Sequence, residues 1–239
     1  MEFTSEQILH QDEYLVVVNK PVELPVHKNE FMPADADYLT KLVGNLIGAS
    51  VYPVHRLDAK TSGVIVLALS RDIANQLAIQ FEQRQVEKKY LAIVKGEPEA
   101  DGAFDTPVVI KKKKKRQNAL TRFKKLSHIA IDIRYKDKEV SAISLMEATP
   151  ETGRWHQIRQ HFSSQRFDIL GDTQHGDWTL NRIMTDKTEY KRLFLHARSL
   201  TITHPVTNEK LTIDTGIPSD FEDVLQKMDG MNCQWVVDE

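Results

Sequence analysis

Residues 55–69 read HRLDAKTSGVIVLAL, a short polar turn followed by an unbroken apolar run. The run at 64–69 is typical of a buried strand, and residues 51–56 before the turn predict a second one. A turn held between two strands suits a carboxylate that acts as nucleophile, general base or metal ligand, so Asp58 is a candidate catalytic group. The alternative is structural, because Asp58 could cap the turn by accepting the main-chain N–H of Thr61 or Ser62. The local pattern alone favours the cap.

The segments around this turn predict an α+β fold. Ser70 is a good helix N-cap, and Ile73, Leu77 and Phe81 behind it share one helical face. Further strands are predicted at 14–20, 86–94, 129–135, 140–148, 193–203 and 211–213, and further helices at 38–47 and 156–163. Strands outnumber helices and do not alternate regularly with them, which favours a mixed, largely antiparallel sheet flanked by helices.

Composition limits the class of protein. The chain has 239 residues, 41% hydrophobic and 28% charged, which is typical of a globular domain with its own core. One cysteine, Cys233, excludes a disulfide framework and an all-cysteine zinc site. No apolar run approaches the ~18 residues of a membrane span, and the acidic start is not a signal peptide. We therefore expect a soluble cytoplasmic protein with no membrane partner.

The charge is unevenly distributed, although the net charge is only −2. Residues 1–39 contain eight acids and two bases, and residues 214–239 contain seven acids and one base. The middle, 40–213, therefore holds 29 bases and 19 acids. This excess predicts a polyanionic partner for the middle of the chain; the alternative is an ordinary solvated basic surface.

A second candidate segment is GRWHQIRQH at 153–161. In a helix, Trp155 and Arg159 would share one face, as would Gln157 and His161. Such a face could place an arginine against a buried carboxylate and lower the pKa of that acid. The alternative is a surface helix with solvated arginines.

Five segments in a fixed order resemble the RluA-type pseudouridine synthases. They are NKPVELPVH at 19–27, HRLDAKTSG at 55–63, EKKYLAIVKG at 87–96, GRWHQIRQHF at 153–162 and LFLHARSLTITHP at 193–205. The resemblance covers about residues 7–218, and GDTQHGDWTLNR at 171–182 is most similar to the branch that modifies position 65 in the T-arm stem of tRNA. It implies one catalytic domain over 1–239 with an RNA-binding cleft. Unlike in many relatives, we expect no separate RNA-binding module before residue 19.

The resemblance also implies a reaction without cofactor or metal. In a uridine of RNA, the N1–C1′ bond breaks, the uracil turns, and C5 bonds to C1′. Asp58 would be the essential acid, attacking C1′ or C6 or promoting elimination at C2′. The substrate would be tRNA, with ribosomal RNA as the alternative and a non-catalytic RNA-binding protein as another; we expect the enzyme to act as a monomer.

The same resemblance assigns four substrate-binding residues. Arg159 would pair with Asp58 and keep it ionised. Tyr90 would stack on or position the flipped uracil, and Arg56 would fill the space that the base leaves, since the base must leave the stem to react. Leu195 would line the uracil pocket.

Residues 111–125, KKKKKRQNALTRFKK, contain nine bases and no acid. Such a run predicts a solvated loop insertion, which we expect to grip the RNA backbone. The candidate contacts are Lys111, Lys112, Lys113, Lys114, Lys115 and Arg116. Asp172, His175 and Asp177 superficially resemble metal ligands, but Gly171 and Gly176 beside them favour a structured turn.

Overall fold

The computed structural model of the protein describes residues 3–28, 30, 32–110, 115–135 and 138–229, and the backbone of 234–237. A 3₁₀ turn, Ser5–Gln7, precedes the first strand. The helices are α1 (Leu39–Ile47), α2 (Arg71–Glu82), α3 (Gln157–Ser164), α4 (Trp178–Thr188) and α5 (Ser219–Asp229). The strands are β1 (Ile8–Gln11), β2 (Leu15–Lys20), β3 (Tyr52–Pro53), β4 (Ser62–Ala68), β5 (Glu87–Lys95), β6 (Asp101–Asp105), β7 (Val108–Val109), β8 (Arg116–Gln117), β9 (Leu120–Tyr135), β10 (Lys138–Pro150), β11 (Leu195–Thr203), β12 (Lys210–Asp214) and β13 (Gln234–Val237).

Contacts divide the chain into two compact units, a division that the sequence did not predict. The first comprises Met1–Lys88 and His196–Gly216, and the second comprises Lys89–Leu195 and Ile217–Glu239. No helix within the described ranges is long and apolar enough to cross a bilayer.

The first unit is built on the apolar strand β4, all of whose residues are buried. β4 pairs antiparallel with β2 and β3 and parallel with β11, while β1 extends β2 and β12 extends β11. Helix α2 begins where predicted, because the Ser70 hydroxyl accepts the Ile73 N–H at 3.3 Å. Ile73 and Leu77 then pack onto the sheet in one apolar cluster with Val64 and Val66.

The second unit is built on the long hairpin of β9 and β10, which pair antiparallel. β5 pairs with the other edge of β10, β6 pairs with β9, and β13 runs parallel to β9. One apolar cluster joins the hairpin to α4 and α5, and another joins it to α3. Both units combine helices with a mixed, mainly antiparallel sheet, so the predicted α+β class is confirmed.

Two sequence predictions are corrected by this architecture, and one helix was not predicted. The strand predicted at 51–56 is limited to Tyr52–Pro53, because Pro53 has no N–H for the ladder. The basic loop predicted at 111–125 is too long, since Leu120–Lys125 belongs to β9 and alternates Thr121 and Phe123 inward. Helix α4 was not predicted, although Asp177 caps it by accepting the Thr179 and Leu180 N–H groups at 3.0 and 3.2 Å.

His55 shows how α2 and β4 are joined. Its Nε2 accepts the Val66 N–H at 3.2 Å, and its ring stacks on Phe81 with the centroids 4.4 Å apart. The hydrogen bond requires an unprotonated Nε2, and the stacking contact is compatible with a neutral ring. Desolvation, with a smaller contribution from the Lys88 charge, lowers the pKa of His55 to about 3.

This pKa predicts a stability that falls with acid. Between pH 6.5 and 3 only the unfolded chain protonates His55, so lowering the pH favours unfolding. Between pH 7.5 and 5.0, protonation of His55 in the unfolded chain should lower the free energy of unfolding of wild type by up to about 2 kcal/mol. Urea unfolding at both pH values should show that His55→Gln removes this part of the pH dependence. His27→Gln, at an exposed histidine, should leave it in place; equal pH dependence in wild type and His55→Gln would contradict the assignment.

Candidate active site

Asp58 lies in the turn between β3 and β4. The main-chain N–H of Thr61 donates to the main-chain oxygen of Asp58 at 3.0 Å, so the turn is closed by the backbone. Leu57 is buried, Asp58 is partly exposed and Arg56 is exposed. The turn therefore has a backbone fixed by one apolar anchor, with an exposed arginine before that anchor and a partly exposed aspartate after it.

A buried lysine forms a hydrogen bond to the backbone of this turn. Lys20, at the end of β2, is 0% exposed. Its Nζ donates to the main-chain oxygens of Pro21, Leu24 and Ala59 at 2.8, 2.9 and 3.0 Å. Three carbonyl acceptors match the three donors of an ammonium group, which offsets the cost of burying the charge. Ala59 follows Asp58 directly, so Lys20 ties the candidate catalytic turn to residues 21–24.

Sequence reasoning did not select Lys20 as a functional residue. The available signal was a lysine at the end of the apolar stretch of β2, directly before Pro21. A lysine in that place is usually read as the solvated end of a strand. Two of its acceptors, Pro21 and Leu24, lie in the turn that follows Lys20, but the third, Ala59, is 39 residues away, and the sequence does not show that they converge.

The Thr-Ser-Gly part of the motif attaches the turn to β11. The Ser62 hydroxyl and His196 Nδ1 are 2.8 Å apart, and His196 Nε2 lies 2.8 Å from the Thr215 hydroxyl. Gly63 has φ of +113°, and a Cβ there would lie 2.2 Å from the main-chain oxygen of Ala197. Only glycine permits this approach of β4 to β11. These residues have a structural role that explains their place beside Asp58.

Arg159 lies on α3 in the second unit and forms a buried, bidentate ion pair. Its Nε and Nη2 donate to the two carboxylate oxygens of Asp172 at 2.6 and 2.7 Å, and both side chains are at most 4% exposed. Burial alone would raise the pKa of Asp172, but the hydrogen bonds and charge of Arg159 and two backbone N–H groups outweigh it, so the pKa is lowered. The sequence left open whether an arginine of this segment meets a buried carboxylate or is solvated, and it did not identify Asp172 as the carboxylate. The pairing of Arg159 with Asp58 stays a prediction.

The residues before α3 differ from the prediction. The helix begins at Gln157, so Trp155 does not share a helical face with Arg159. His156 takes a left-handed conformation with φ of +50°, and the Trp155 ring stacks on it at 4.0 Å. Arg159 Nη1 donates to His156 Nε2 at 2.9 Å, which leaves Nδ1–H to donate to His175 Nε2 at 2.9 Å.

The other predicted face of α3 is confirmed. Gln157 Nε2 donates to the Thr121 hydroxyl at 2.9 Å, and His161 Nδ1 lies 2.9 Å from the same oxygen. Two side chains four residues apart therefore dock α3 onto β9. Much of the GRWHQIRQH segment positions its helix.

Tyr90 and Leu195 meet at one apolar cluster of the second unit. Leu195 is 4% exposed and packs in this cluster with Ala92 and Met146, and the partly exposed Tyr90 packs against it. The structure thus places an aromatic and an aliphatic side chain together, an arrangement suited to one face of a flat base. Their contact with uracil stays a prediction.

The basic run lies partly outside the described residues. Lys111, Lys112, Lys113 and Lys114 fall in this category. Lys115 and Arg116 are exposed, and the Ile110 N–H donates to the Lys115 main-chain oxygen at 2.8 Å in the small sheet of β7 and β8.

The residues that resembled metal ligands have other partners. Asp172 binds Arg159, His175 binds His156, and Asp177 caps α4 and accepts from Lys138 at 2.6 Å. Across the described ranges, no group of three acidic, histidine or cysteine side chains is placed to hold a metal ion.

The Arg159–Asp172 pair predicts a large loss of stability for Asp172→Asn. The substitution leaves a buried guanidinium without its counter-charge, and breaking a buried pair in this way costs roughly 3–5 kcal/mol. Urea unfolding at pH 7 measures the loss. The matched control is Glu151→Gln, which removes the exposed pair between Arg122 and Glu151 and should cost less than about 1 kcal/mol. Equal effects of the two substitutions would contradict the structural role of Asp172.

Comparison with known proteins identifies the family of the chain. Residues 14–164 match the family model described as RNA pseudouridylate synthase. The tRNA pseudouridine synthase C of Pasteurella multocida (strain Pm70) is 38% identical over 233 residues, covering 93% of this chain and 96% of that protein. The tRNA pseudouridine synthase C of Haemophilus influenzae is 36% identical over 231 residues, covering 92% and 97%.

Solved structures give the same result. The human RNA Pseudouridylate Synthase Domain Containing 4 has a TM-score of 0.71 and 32% identity, covering 94% of this chain and 93% of that one. The human RNA Pseudouridylate Synthase Domain Containing 1 has the same fold, with a TM-score of 0.70 at 23% identity and coverage of 91% and 87%. The chain, with its HRLDAKTSG turn, belongs to the RNA pseudouridylate synthases, the enzymes that isomerise uridine in RNA to pseudouridine.

Proposed function

We propose that this enzyme isomerises uridine in tRNA, at position 65 of the T-arm stem, with Asp58 as its catalytic carboxylate. The observation that carries the proposal is identity of 38% and 36%, over more than nine-tenths of each chain, with proteins named tRNA pseudouridine synthase C. The excess of bases over acids in the middle of the chain supports a polyanionic substrate.

The proposed chemistry needs only the carboxylate and the RNA. The N1–C1′ bond breaks, uracil rotates within the site, C5 bonds to C1′, C5 loses its proton and N1 gains one. Asp58 attacks C1′ or C6, or takes the C2′ proton in an elimination. Each route requires an ionised carboxylate at a fixed position, which the backbone-closed turn and Lys20 support.

Four further residues are proposed to contact the substrate. The exposed guanidinium of Arg56 is suited to fill the stem where the base leaves. Tyr90 and Leu195 share an apolar cluster suited to uracil. Arg159 is proposed to act from the rigid pair that it forms with Asp172.

The proposal includes a monomeric enzyme in the cytoplasm. Transfer RNA resides in that compartment, and one cysteine in 239 residues is typical of a reducing environment. Gel filtration with light scattering should give the mass of one 27.4 kDa chain.

Release of tritium from uracil C5 tests the proposed reaction. Wild type should release tritium from tRNA transcripts labelled at C5, in the presence of a chelator. Asp58→Ala and Asp58→Asn should release none while binding the transcript normally, because they lose the carboxylate and retain the turn. Asp186→Asn, at an exposed carboxylate of α4, is the matched control and should keep full activity.

Three outcomes would contradict parts of the proposal. Near-normal release of tritium by Asp58→Asn would show that the Asp58 carboxylate is not needed for the reaction. Release from ribosomal RNA and not from tRNA would replace the substrate. No tritium release from either RNA would favour a non-catalytic RNA-binding protein.

The basic run predicts a specific salt dependence of tRNA binding. Each lysine that contacts a phosphate contributes about 0.7–0.9 to the slope of log affinity against log salt. Changing residues 111–113 from lysine to glutamine should therefore flatten that slope by about two. The same change at Lys28, Lys191 and Lys210 is the control and should have a smaller effect. Equal slopes of log affinity against log salt in the two triple variants would show that the basic run does not contact the RNA.

A further inference from the structure

The second unit contains an open cavity of about 510 Å³. Its wall is formed by the end of β5, the start of β10, the residues after α3 and the first turn of α4. The side chains that matter to the argument are Lys95, Lys138, Arg166, Asp168, Asp177 and Trp178. The volume lies within the usual range of small-ligand sites, about 300–1,000 Å³.

Arg166 gives this cavity its net positive charge. Lys95 pairs with Asp168 at 2.6 Å, and Lys138 pairs with Asp177 at 2.6 Å, so both carboxylates are already neutralised. Arg166 is exposed, and within the described ranges its guanidinium has neither an ion pair nor a hydrogen-bond partner. One cation with all its donors available therefore lines the cavity, which suits a phosphate group.

The backbone at Arg166 is strained. Helix α3 ends at Ser164, and Arg166 follows with φ of +64°, closed by its N–H donating to the Ser163 main-chain oxygen at 2.9 Å. A left-handed residue just after a helix is usually glycine, because a Cβ is unfavourable there. Arg84 after α2 and Glu189 after α4 take the same conformation, so the strain does not by itself mark Arg166 as functional, but it makes Arg166→Gly a substitution that the backbone tolerates.

Trp178 supplies an aromatic surface at the same cavity. It is 71% exposed, far above the 50% of Ile79, the next most exposed large apolar side chain of the described residues. No ring stacks on it within that part of the chain. An exposed indole at a cavity that is also lined by an exposed arginine can stack a nucleobase, a contact that works for any base.

We propose that this cavity binds one unpaired nucleotide of the RNA substrate, with the base on Trp178 and the phosphate on Arg166. The inference rests on the proposed function, because that function supplies the RNA. It adds a nucleotide contact, formed within the second unit, that the five family segments do not predict.

The test measures binding of a five-nucleotide single-stranded uridine oligomer and of a tRNA transcript. Trp178→Ala should weaken binding of the oligomer about tenfold, within the range for losing one base stack. Arg166→Gly should weaken it and lower its salt slope by about 0.7, while unfolding no more readily than wild type because strain is relieved. Controls are Ile79→Ala and Arg71→Ala, an exposed apolar side chain and an exposed arginine of α2, which should bind as wild type does.

A second readout follows Trp178 directly. Saturating oligomer should quench wild-type tryptophan fluorescence, and Trp178→Phe should remove most of that quenching. With tRNA as substrate, Trp178→Ala and Arg166→Gly should each raise KM for tritium release.

The outcomes separate this inference from the proposed function. Normal oligomer binding by Trp178→Ala would overturn the nucleotide site. If Arg166→Gly alone weakened oligomer binding, the cavity would be a simple anion site. Normal turnover of tRNA by both variants would overturn it while the proposed function stands. Oligomer binding that depends on both residues, in an enzyme inactive on tRNA, would support the site and overturn the proposed substrate.

Discussion

The ammonium group of Lys20 fixes the turn that carries Asp58, the residue proposed to perform the chemistry. It is buried and donates to the main-chain oxygens of Pro21, Leu24 and Ala59, and these three hydrogen bonds offset the cost of removing its charge from water. The turn beside it cannot shift without breaking one of these bonds. The close approach of Gly63 to Ala197 and the Ser62–His196 contact restrain the same turn from its other end. The Asp58 carboxylate is thus carried by a backbone that is restrained on both sides.

The second unit uses a similar principle with a different pair of groups. Arg159 and Asp172 are buried together, and their mutual hydrogen bonds make burial of both charges tolerable. Gln157 and His161 attach the same helix to Thr121. In both signature segments, most residues therefore hold a backbone in place, and few side chains are left to meet the substrate.

The sequence predicted what depends on neighbours along the chain. The Ser70 cap, the apolar run of β4 and the shared face of Gln157 and His161 all follow from local spacing. It did not predict contacts between distant segments, such as Lys20 with Ala59 or Arg159 with Asp172, because no local pattern specifies which acceptor a cation reaches. The strand at Leu120–Lys125 was missed because its basic residues resemble a solvated loop, although Thr121 and Phe123 alternate inward. The role of Asp58 came from resemblance, since its local pattern favoured a turn cap.

The most direct test of the account is to map pseudouridine at single-nucleotide resolution in a tRNA transcript treated with the purified enzyme. Chemical labelling of pseudouridine followed by primer extension gives the modified position. The account predicts one new pseudouridine, in the T-arm stem, after treatment with wild type and none after treatment with Asp58→Asn. A pseudouridine elsewhere in the tRNA would contradict the proposed target, and an unmodified transcript would contradict the assignment of tRNA as the substrate.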